Sequence, residues 1–466
     1  MTIFNFGISE NLHVIEGKTY KIKPYYTDLI LSFIVKKMLT NELQFGYVDI
    51  PSIELKKTYD KYWVYIDFLK TKNVIQVRNH SDKHKRCKGY RFDYVFLEKI
   101  EIQSITLNKT LTTNSNTIDY PEIIPIEDQA MVSYQTIQRL KRDFESVEVK
   151  LDKIEKVRYE DSAYVDAPKY FRSLIQLHKL KEGGDFKKFE FKANRLYTNF
   201  SFISGFYRTR NILLNGETLV EFDVSSSFPV MFGIFALKIN PEIIHDNDFV
   251  EYCTLLKSGK FYDNLTATLN LNLNSNNSKL KVNSQGFAIA NRKLTRNNTK
   301  ELFQKLLNGK KNRSAYIKGY SNPFIKDIFQ MKFGCLNEIL ENLKSRGEKV
   351  YYKLSKLETE FIFSVVEELY NKISGIKILT LHDAIFVSKL HGEQVKIIWE
   401  ENTKKLYDLL PDNYDNSSNQ FLEEIGIFEE DFLTHQNKQS YNSIKPNSYE
   451  NNWDDFFDDF IDDDDF

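Results

Sequence analysis

Two aspartates stand where apolar segments of the chain end or turn. Asp223 follows an apolar, strand-like run, and Asp383 stands beside His382 between the apolar segments 376–381 and 384–387. The second arrangement predicts two strands joined by a tight turn, with Asp383 in the turn. Because burying an unpaired carboxylate is costly, an acid at the end of a core strand indicates a specific role.

Asp223 and Asp383 are 160 residues apart and would meet if their strands are neighbours. Two carboxylates at one place repel each other unless a cation joins them. Oxygen ligands select Mg²⁺ or Mn²⁺, and two such ions about 3.5–4 Å apart promote in-line phosphoryl transfer. The pattern therefore predicts a two-metal site. The alternative is structural, since an Asp after a strand is often a helix cap or an Asx turn.

The composition is that of an ordinary soluble protein. Its length of 466 residues predicts two or three domains, and its residues are 41% hydrophobic and 28% charged. The three cysteines are far apart and suit neither a disulfide framework nor a zinc site, so we expect a reducing cytoplasm. We expect no membrane association, because no run suits a membrane span and the N-terminus lacks a secretory pattern.

The net charge of −1 conceals an asymmetry. Residues 451–466 contain eight Asp and no Lys or Arg, so the rest of the chain carries a formal charge of +7. A polyanionic partner such as nucleic acid is the expected ligand of such a body.

The first hundred residues have the element order of a winged helix: helix, strand, two helices, strand, basic loop, strand. Helical spacing begins near Asp28, and strands are expected at 74–78 and 90–97. The loop between these strands would be the wing, with phosphate contacts from Lys83, Lys85, Arg86 and Lys88. Alternatives are a solvated loop on a small packing domain and a protein-docking module.

The sequence after the first hundred residues is predicted to contain a linker, several helices and a polar C-terminal segment. The Thr- and Asn-rich segment 104–127 is typical of a linker, and 240–300 has no clear pattern. Residues beyond 434 are expected to be disordered. Helices are predicted at 132–157, 168–180, 228–237, 354–369 and 393–409. The basic segment 299–313 is predicted to form a helix. Its basic residues would either bind a triphosphate or form a solvated face.

From about residue 190 to 400 the chain resembles the palm and fingers of family A DNA polymerases and, more distantly, single-subunit RNA polymerases. The segment 194–198 is similar to the Arg-Leu segment before the first motif of that family. Phe222-Asp223-Val224-Ser225 resembles motif A, and Leu381-His382-Asp383 resembles motif C. Lys305-Leu306-Leu307-Asn308 resembles part of motif B.

The resemblance implies a role for each matching residue. Asp223 and Asp383 would hold two Mg²⁺, with the main-chain carbonyl of Val224 as a further ligand. His382 would contact the primer terminus, although a turn histidine bonded to the backbone is the alternative. Lys300, Lys305 and Arg313 would bind the incoming nucleotide. Arg195 and Tyr197 would contact the primer–template.

The chain departs from the family pattern at three places. Phe228 replaces the usual acid five residues after Asp223; its bulk would exclude a 2′-hydroxyl, so deoxynucleotides are the expected substrate. Ala384 replaces a third carboxylate, and Gly309 stands where motif B has an aromatic residue. Tyr316 and Tyr320 are possible stacking substitutes. No segment has the spacing of a proofreading exonuclease.

The acidic segment 453–466 resembles the C-terminal tips of single-stranded-DNA-binding proteins and some phage replication proteins. There the acidic run steers to a basic pocket and the last Phe inserts into an apolar slot. Asp464, Asp465 and Phe466 would therefore dock a replication protein. Self-inhibition in the basic cleft and a solubilising tail are the alternatives.

Together these patterns predict an α+β protein with a winged-helix-like domain and a right-hand polymerase, whose palm is an antiparallel sheet with helical thumb and fingers. The expected function is DNA-directed DNA synthesis from dNTPs on a primer–template, in a phage or mobile-element setting. The alternatives are an RNA polymerase or primase, and a non-catalytic replication-initiator or regulatory DNA-binding protein. The domains would be 1–110 winged helix, 111–130 linker, 131–190 thumb-like segment, 191–433 palm and fingers, and 434–466 tail.

Overall fold

The structure, a computed structural model, is mixed α+β. It describes residues 2–41, 43, 46–80, 87–102, 104–107, 129–152, 154–156, 158, 165–184, 187–192, 194–275, 294–308 and 324–411. The chain forms two compact units, and each is assembled from separate stretches of sequence. The first unit comprises Met1–Ile123, Phe144–Glu190 and Tyr197–Leu219, and the second comprises Ile124–Asp143, Phe191–Leu196 and Val220–Phe466.

The N-terminal part of the first unit alternates short strands and helices. Its elements are β1 (Ile3–Asn5), β2 (Asn11–Ile15), β3 (Lys18–Ile22), α1 (Pro24–Thr40), β4 (Val48–Asp49), α2 (Ser52–Thr58), α3 (Tyr62–Thr71), β5 (Ile75–Arg78), β6 (Gly89–Phe92), α4 (Tyr94–Lys99) and β7 (Ser104–Thr106). The predicted order from α1 to β6 is confirmed, while the assignment as a winged helix stays a prediction.

The strands β4, β6 and β5 form an antiparallel sheet in that order, with Val77 opposite Tyr90 and Val48 also opposite Tyr90. Val48, Ile75, Tyr90 and Phe92 share one face of this sheet and are buried, as expected for a sheet with one covered face. The expected strand 90–97 ends early, because the side chain of Asp93 caps α4 by accepting a hydrogen bond from the backbone N–H of Val95 at 2.9 Å.

The expected linker 104–127 is wrong at its start. Residues 104–106 form β7, which pairs antiparallel with β1 and places Ile105 opposite Phe4. Phe4 is buried, so β7 belongs to the core of the first unit rather than to a connection. A three-residue strand among Thr and Asn residues has too short a pattern to stand out in sequence.

The middle of the chain carries short strands between helices. Its elements are α5 (Tyr134–Glu145), β8 (Glu148–Val149), α6 (Ala167–Glu182), β9 (Phe189–Lys192), β10 (Arg195–Thr198), α7 (Gly205–Asn211), β11 (Ile212–Leu214) and β12 (Glu217–Asp223). The prediction of a helix at 132–157 is wrong beyond Glu145, because Val149 pairs with Ile212 of β11. The predicted helix at 168–180 is confirmed as α6.

The second unit is mainly helical around one hairpin. Its remaining elements are α8 (Ser227–Ile239), α9 (Asn247–Lys257), α10 (Phe261–Ser275), α11 (Arg296–Asn308), α12 (Phe324–Lys332), α13 (Gly334–Ser345), α14 (Val350–Lys372), β13 (Ile378–Leu381), β14 (Ala384–Ser388) and α15 (Gly392–Asp408). The predicted helices at 228–237, 354–369 and 393–409 are confirmed.

The irregular segment expected at 240–300 is wrong where the structure describes it. It contains α9, α10 and the start of α11, which pack through a group of aromatic rings. Phe261 contacts Tyr252 at 5.1 Å and Phe303 at 5.2 Å between ring centroids, and all three are buried. Edge-to-face packing of large rings stabilises these helices despite the many polar residues between them.

The hairpin β13–β14 forms the centre of the second unit, and all nine of its strand residues are buried. Its register places Leu381 opposite Ala384, which leaves a two-residue turn. The end of β12 lies beside β14, and α8 and α14 pack against each other. Since the strands are apolar, the polar turn at their tip lies where the hairpin leaves the core.

None of the helices in the described part of the chain combines the length and the apolar character required to cross a membrane.

Candidate functional site

Asp223 is the last residue of β12, and the chain reverses directly after it. Ser226 has a left-handed backbone (φ 57°), which turns the chain into α8. Pro229 lies in the first turn of α8, where a missing N–H costs nothing. Tyr407 of α15 donates a hydrogen bond from its hydroxyl to the carbonyl of Ser225. The loop after Asp223 is therefore held by the left-handed backbone of Ser226 and by the hydrogen bond from Tyr407 to Ser225.

Asp383 is held by the hairpin turn. His382 takes the first turn position with φ 51°, a conformation that non-glycine residues rarely adopt. The backbone N–H of Val224 donates to the carbonyl of Asp383 at 3.1 Å, so the turn is bonded to the residue after Asp223. This bond brings the ends of the two strands together.

The side chains of Asp223 and Asp383 lie close enough for each carboxyl group to affect the ionisation of the other. The two acids therefore meet, as the sequence predicts. As whole residues Asp223 is exposed and Asp383 is half-buried, so solvent reaches the pair, although the surrounding protein removes part of the hydration of both carboxyl groups.

Both carboxyl groups are harder to ionise than an ordinary Asp. Loss of hydration raises the pKa of Asp223, and the charge of Glu221 raises it further. Loss of hydration likewise raises the pKa of Asp383, followed by the charges of Asp223 and Glu358. An additional positive charge would relieve this repulsion and hold both acids in their ionised form.

One cation of α11, Lys300, supplies part of that positive charge. Lys300 lies close enough to Asp223 and Asp383 to lower the pKa of Asp223, while burial lowers its own pKa. Arg296 is one turn earlier on the same helix. Its guanidinium lies 5.5 Å and the ammonium of Lys300 lies 5.7 Å from the ring centroid of Tyr262, which is buried. Both cations therefore lie against the ring of Tyr262, and Nε of Arg296 also pairs with Asp263 at 3.5 Å.

A buried ion pair lies behind the carboxylates. Arg195 Nη2 donates to Glu358 Oε2 at 2.8 Å, and Ser227 Oγ donates to Glu358 Oε1 at 2.7 Å. Arg195, Ser227 and Glu358 are 6%, 3% and 1% exposed. Arg195 was predicted to lie along a primer–template, but here its side chain is buried and committed to Glu358.

Two aromatic rings cover this ion pair. The rings of Phe228 and Tyr351 lie nearly parallel, with 5.9 Å between centroids and 21° between planes. The guanidinium carbon of Arg195 is 5.2 Å from the first ring centroid and 5.0 Å from the second. Phe228 is buried, whereas Tyr351 is half-buried.

The donor set fits a hard divalent cation. Asp223 and Asp383 offer carboxylate oxygens, and like charges already adjacent favour an ion between them. The backbone N–H of Val224 donates to the carbonyl of Asp383, so Val224 lies beside both acids. The carbonyl of Val224 stays a predicted metal ligand.

Glu358 does not extend the two aspartates into a compact three-residue ligand group. In the described part of the chain, three potential metal ligands do lie together at another place, Asp246, Asp248 and Cys335. Their ligand atoms are within 4.8 Å of one another. There the Cys335 thiol donates to Asp248 at 3.0 Å, and burial raises the pKa of the thiol, so it is held protonated.

Other predicted site residues lie elsewhere. The ammonium of Lys305 pairs with Glu301 on its own helix at 2.5 Å, so Lys300 is the α11 lysine beside the acids. Tyr197, in the first unit, is half-buried with the ammonium of Lys188 at 5.9 Å from its ring centroid. Lys88 is exposed and its carbonyl accepts from the backbone of Ile50.

Several predictions fall outside the described residues. These are the wing residues Lys83, Lys85 and Arg86, the motif B residues Arg313, Tyr316 and Tyr320, and the tail residues Asp464, Asp465 and Phe466.

Sequence reasoning missed Glu358, Tyr351, Arg296 and Tyr262. Glu358 carried a usable signal: it is four residues after Leu354 and seven before Val365, on the apolar stripe of α14. An acid on such a stripe requires a buried partner. Arg296 precedes Lys300 by one helical turn, which also indicates a common face.

A scan of the sequence against protein-family models and a search of curated proteins both return no match.

Proposed function

We propose that the chain is a template-directed DNA polymerase of compact family A type that uses two Mg²⁺ ions. The observation that carries the proposal is the proximity of Asp223 and Asp383, two acids distant in sequence: the backbone N–H of Val224 donates to the carbonyl of Asp383 at 3.1 Å, and the two carboxyl groups affect each other's ionisation. Loss of hydration and then the charges of nearby carboxylates raise both pKa values, and a divalent cation between the two groups would favour their ionised form.

The chain supplies the other parts that phosphoryl transfer requires. Asp223 and Asp383 would hold the metal, and Lys300 with Arg296 would bind the triphosphate through charge. Bound Mg²⁺ would lower the pKa of a primer 3′-hydroxyl and neutralise the leaving pyrophosphate. The rigid hairpin and the bonded loop after Asp223 would keep the acids in place, which supports the reaction by positioning.

The preferred substrate is a deoxynucleotide. Phe228 lies in the first turn of α8, five residues after Asp223, and is buried against Tyr351. A bulky ring there would leave no room for a 2′-hydroxyl, as the family resemblance implies.

The test is primer extension on a defined DNA template with Mg²⁺ and dNTPs. We expect extension by the wild type and a loss of at least about a hundredfold in Asp223→Asn and Asp383→Asn, because each removes an anionic ligand worth several kcal/mol in the transition state. Asp408→Asn, an exposed acid on α15, is the matched control and should retain full activity.

A second readout does not depend on turnover. Mg²⁺ should raise the melting temperature of the wild type and of Asp408→Asn but not that of Asp383→Asn, since binding to the folded state stabilises it. DNA binding without extension, unchanged in both aspartate variants, would instead identify a non-catalytic DNA-binding protein. Extension with NTPs in preference to dNTPs would indicate an RNA polymerase or primase.

A further inference from the structure

The ion pair behind the acids and the two rings over it form one closed set of contacts. Ser227 donates to Glu358, Glu358 accepts from Arg195, and the guanidinium of Arg195 lies against Phe228, which follows Ser227 in the chain. A ring of contacts that returns to its starting residue fixes each member with respect to the others.

Tyr351 is the member of this set that reaches solvent. It precedes Glu358 by seven residues, two turns of α14, so the two side chains lie on the same face of the helix. Its ring is half-buried, lies almost parallel to that of Phe228, and shares the Arg195 guanidinium with it. Tyr351 is therefore the half-buried ring that packs on the buried ring of Phe228.

A side chain that rejects a substrate by its bulk must be unable to move. The difference between a ribose and a deoxyribose is one oxygen, and a ring that could rotate away would admit it. Phe228 has the guanidinium of Arg195 and the ring of Tyr351 beside it, while Arg195 itself is held by Glu358. Removing the Tyr351 ring would open a space into which Phe228 could swing, since close-packed rings resist movement only while their neighbours are present.

We propose that Tyr351 is a positioning residue for sugar selection, which holds Phe228 against the nucleotide site so that 2′-deoxynucleotides are admitted and ribonucleotides are rejected. This inference rests on the proposed function and extends it by a residue to which the family resemblance gives no role. Arg195 and Glu358 form the buried ion pair next to the Phe228 ring. Removing either one would therefore disturb the core of the second unit as well as the position of Phe228.

The test is the ratio of kcat/KM for a dNTP to kcat/KM for the matching NTP, measured with purified full-length protein on one primer–template. Tyr351→Ala should lower this ratio about tenfold or more, the range that one packing contact gives in a specificity pocket. Tyr351→Phe keeps the ring and should stay within about twofold of the wild type. Tyr351→Leu is a second variant that keeps apolar bulk without a flat ring, and its ratio should also fall.

Tyr134→Ala is the matched control, because it removes a tyrosine ring that is 74% exposed in the same unit. A general loss of stability lowers both rate constants and leaves the ratio unchanged, so the ratio separates positioning from folding. An unchanged ratio in Tyr351→Ala and Tyr351→Leu would overturn this inference while leaving the polymerase proposal standing. A wild type that extends with neither nucleotide, or that prefers NTPs, would overturn both.

Discussion

Acidic residues in the second unit differ in behaviour because their partners differ. Glu358 is buried but has Arg195 and Ser227 as hydrogen-bond donors. Loss of hydration raises the pKa of both Asp223 and Asp383, and the charge of Asp223 raises the pKa of Asp383 further. A residue type alone thus says little about its charge, and the nearest donors and charges decide it.

Asp143 is a fourth case. It is 7% exposed, and its Oδ2 accepts from the hydroxyl of Tyr370 at 2.6 Å and from the backbone N–H of Ile378 at 2.9 Å. Burial raises its pKa, although these two donors and the charges of Arg139 and Lys377 oppose the rise. The hydrogen bonds join α5 to the end of α14 and the start of β13, so Asp143 supports the hairpin that carries Asp383.

Asp143→Asn should change how stability depends on pH. A carboxyl whose pKa is raised in the folded state stabilises fully below its unfolded pKa, near 3.8, and this contribution is lost as pH rises through the folded pKa. Asn stays neutral and its oxygen can still accept from both donors. The melting temperature of the variant minus that of the wild type should therefore increase from about pH 4 upward and then level off.

Circular-dichroism melts between pH 4 and 8 would measure this difference, with Asp408→Asn as the exposed control. A difference that is constant with pH, or that decreases as pH rises, would show that Asp143 is ionised at no cost in the folded state.

At the scale of elements, α8 links the site to the core of the second unit. Its first turn carries Ser227 and Phe228, and its middle packs closely on α9, where Tyr252 donates to the carbonyl of Pro229 at 2.7 Å. Gly233 permits this approach, because a Cβ added there would lie 3.1 Å from Leu410 and 3.2 Å from Tyr252. The positions of Ser227 and Phe228 therefore depend on a contact made about one and a half turns further along α8.

Gly233→Ala should lower the free energy of unfolding by about 1–3 kcal/mol, because an overpacked methyl displaces its neighbours by more than the better helix propensity of Ala returns. Gly334→Ala is the matched control: it lies at the start of α13, where the added Cβ would be at 3.7 Å from Asp248 in ordinary contact. That variant should be neutral or more stable than the wild type.

Urea denaturation followed by tryptophan fluorescence would compare the two variants. Equal stability of Gly233→Ala and wild type would mean that α8 and α9 can move apart without a cost in free energy. The close packing at Gly233 would then not limit the position of Phe228.

At the scale of the whole molecule, charge is unevenly distributed along the sequence. Removal of residues 451–466 changes the formal net charge from −1 to +7. A positive body attracts a polyanion over long range, and an acidic segment on the same chain competes with that attraction.

Deletion of residues 451–466 should therefore strengthen binding to a fluorescent primer–template by about tenfold at low salt, with the gain shrinking as KCl is raised. Fluorescence anisotropy titrations at several salt concentrations would measure it. A variant with the eight Asp replaced by Asn keeps the length and should behave like the deletion. Equal affinity of all three proteins would exclude an electrostatic role of the tail in DNA binding.

Local patterns in the sequence determined much of the second unit. The apolar runs around His382-Asp383 predicted the β13–β14 hairpin and its turn, and helical spacing predicted α14 within four residues at each end. These signals are strong because an element buried on one or both faces must repeat its apolar residues at its own period. The same reasoning failed at α9 and α10, whose aromatic residues are separated by Asn, Asp and Thr.

The sequence by itself therefore determined that two acids end or interrupt apolar strands, and hence that each required a partner. Which partners they have was decided by the tertiary structure: Asp223 against Asp383, Lys300 beside both, and Glu358 beneath Arg195. The physical reason is that periodicity is a property of neighbours along the chain, whereas hydration, charge and ring contacts depend on residues that are distant in sequence and adjacent only after folding.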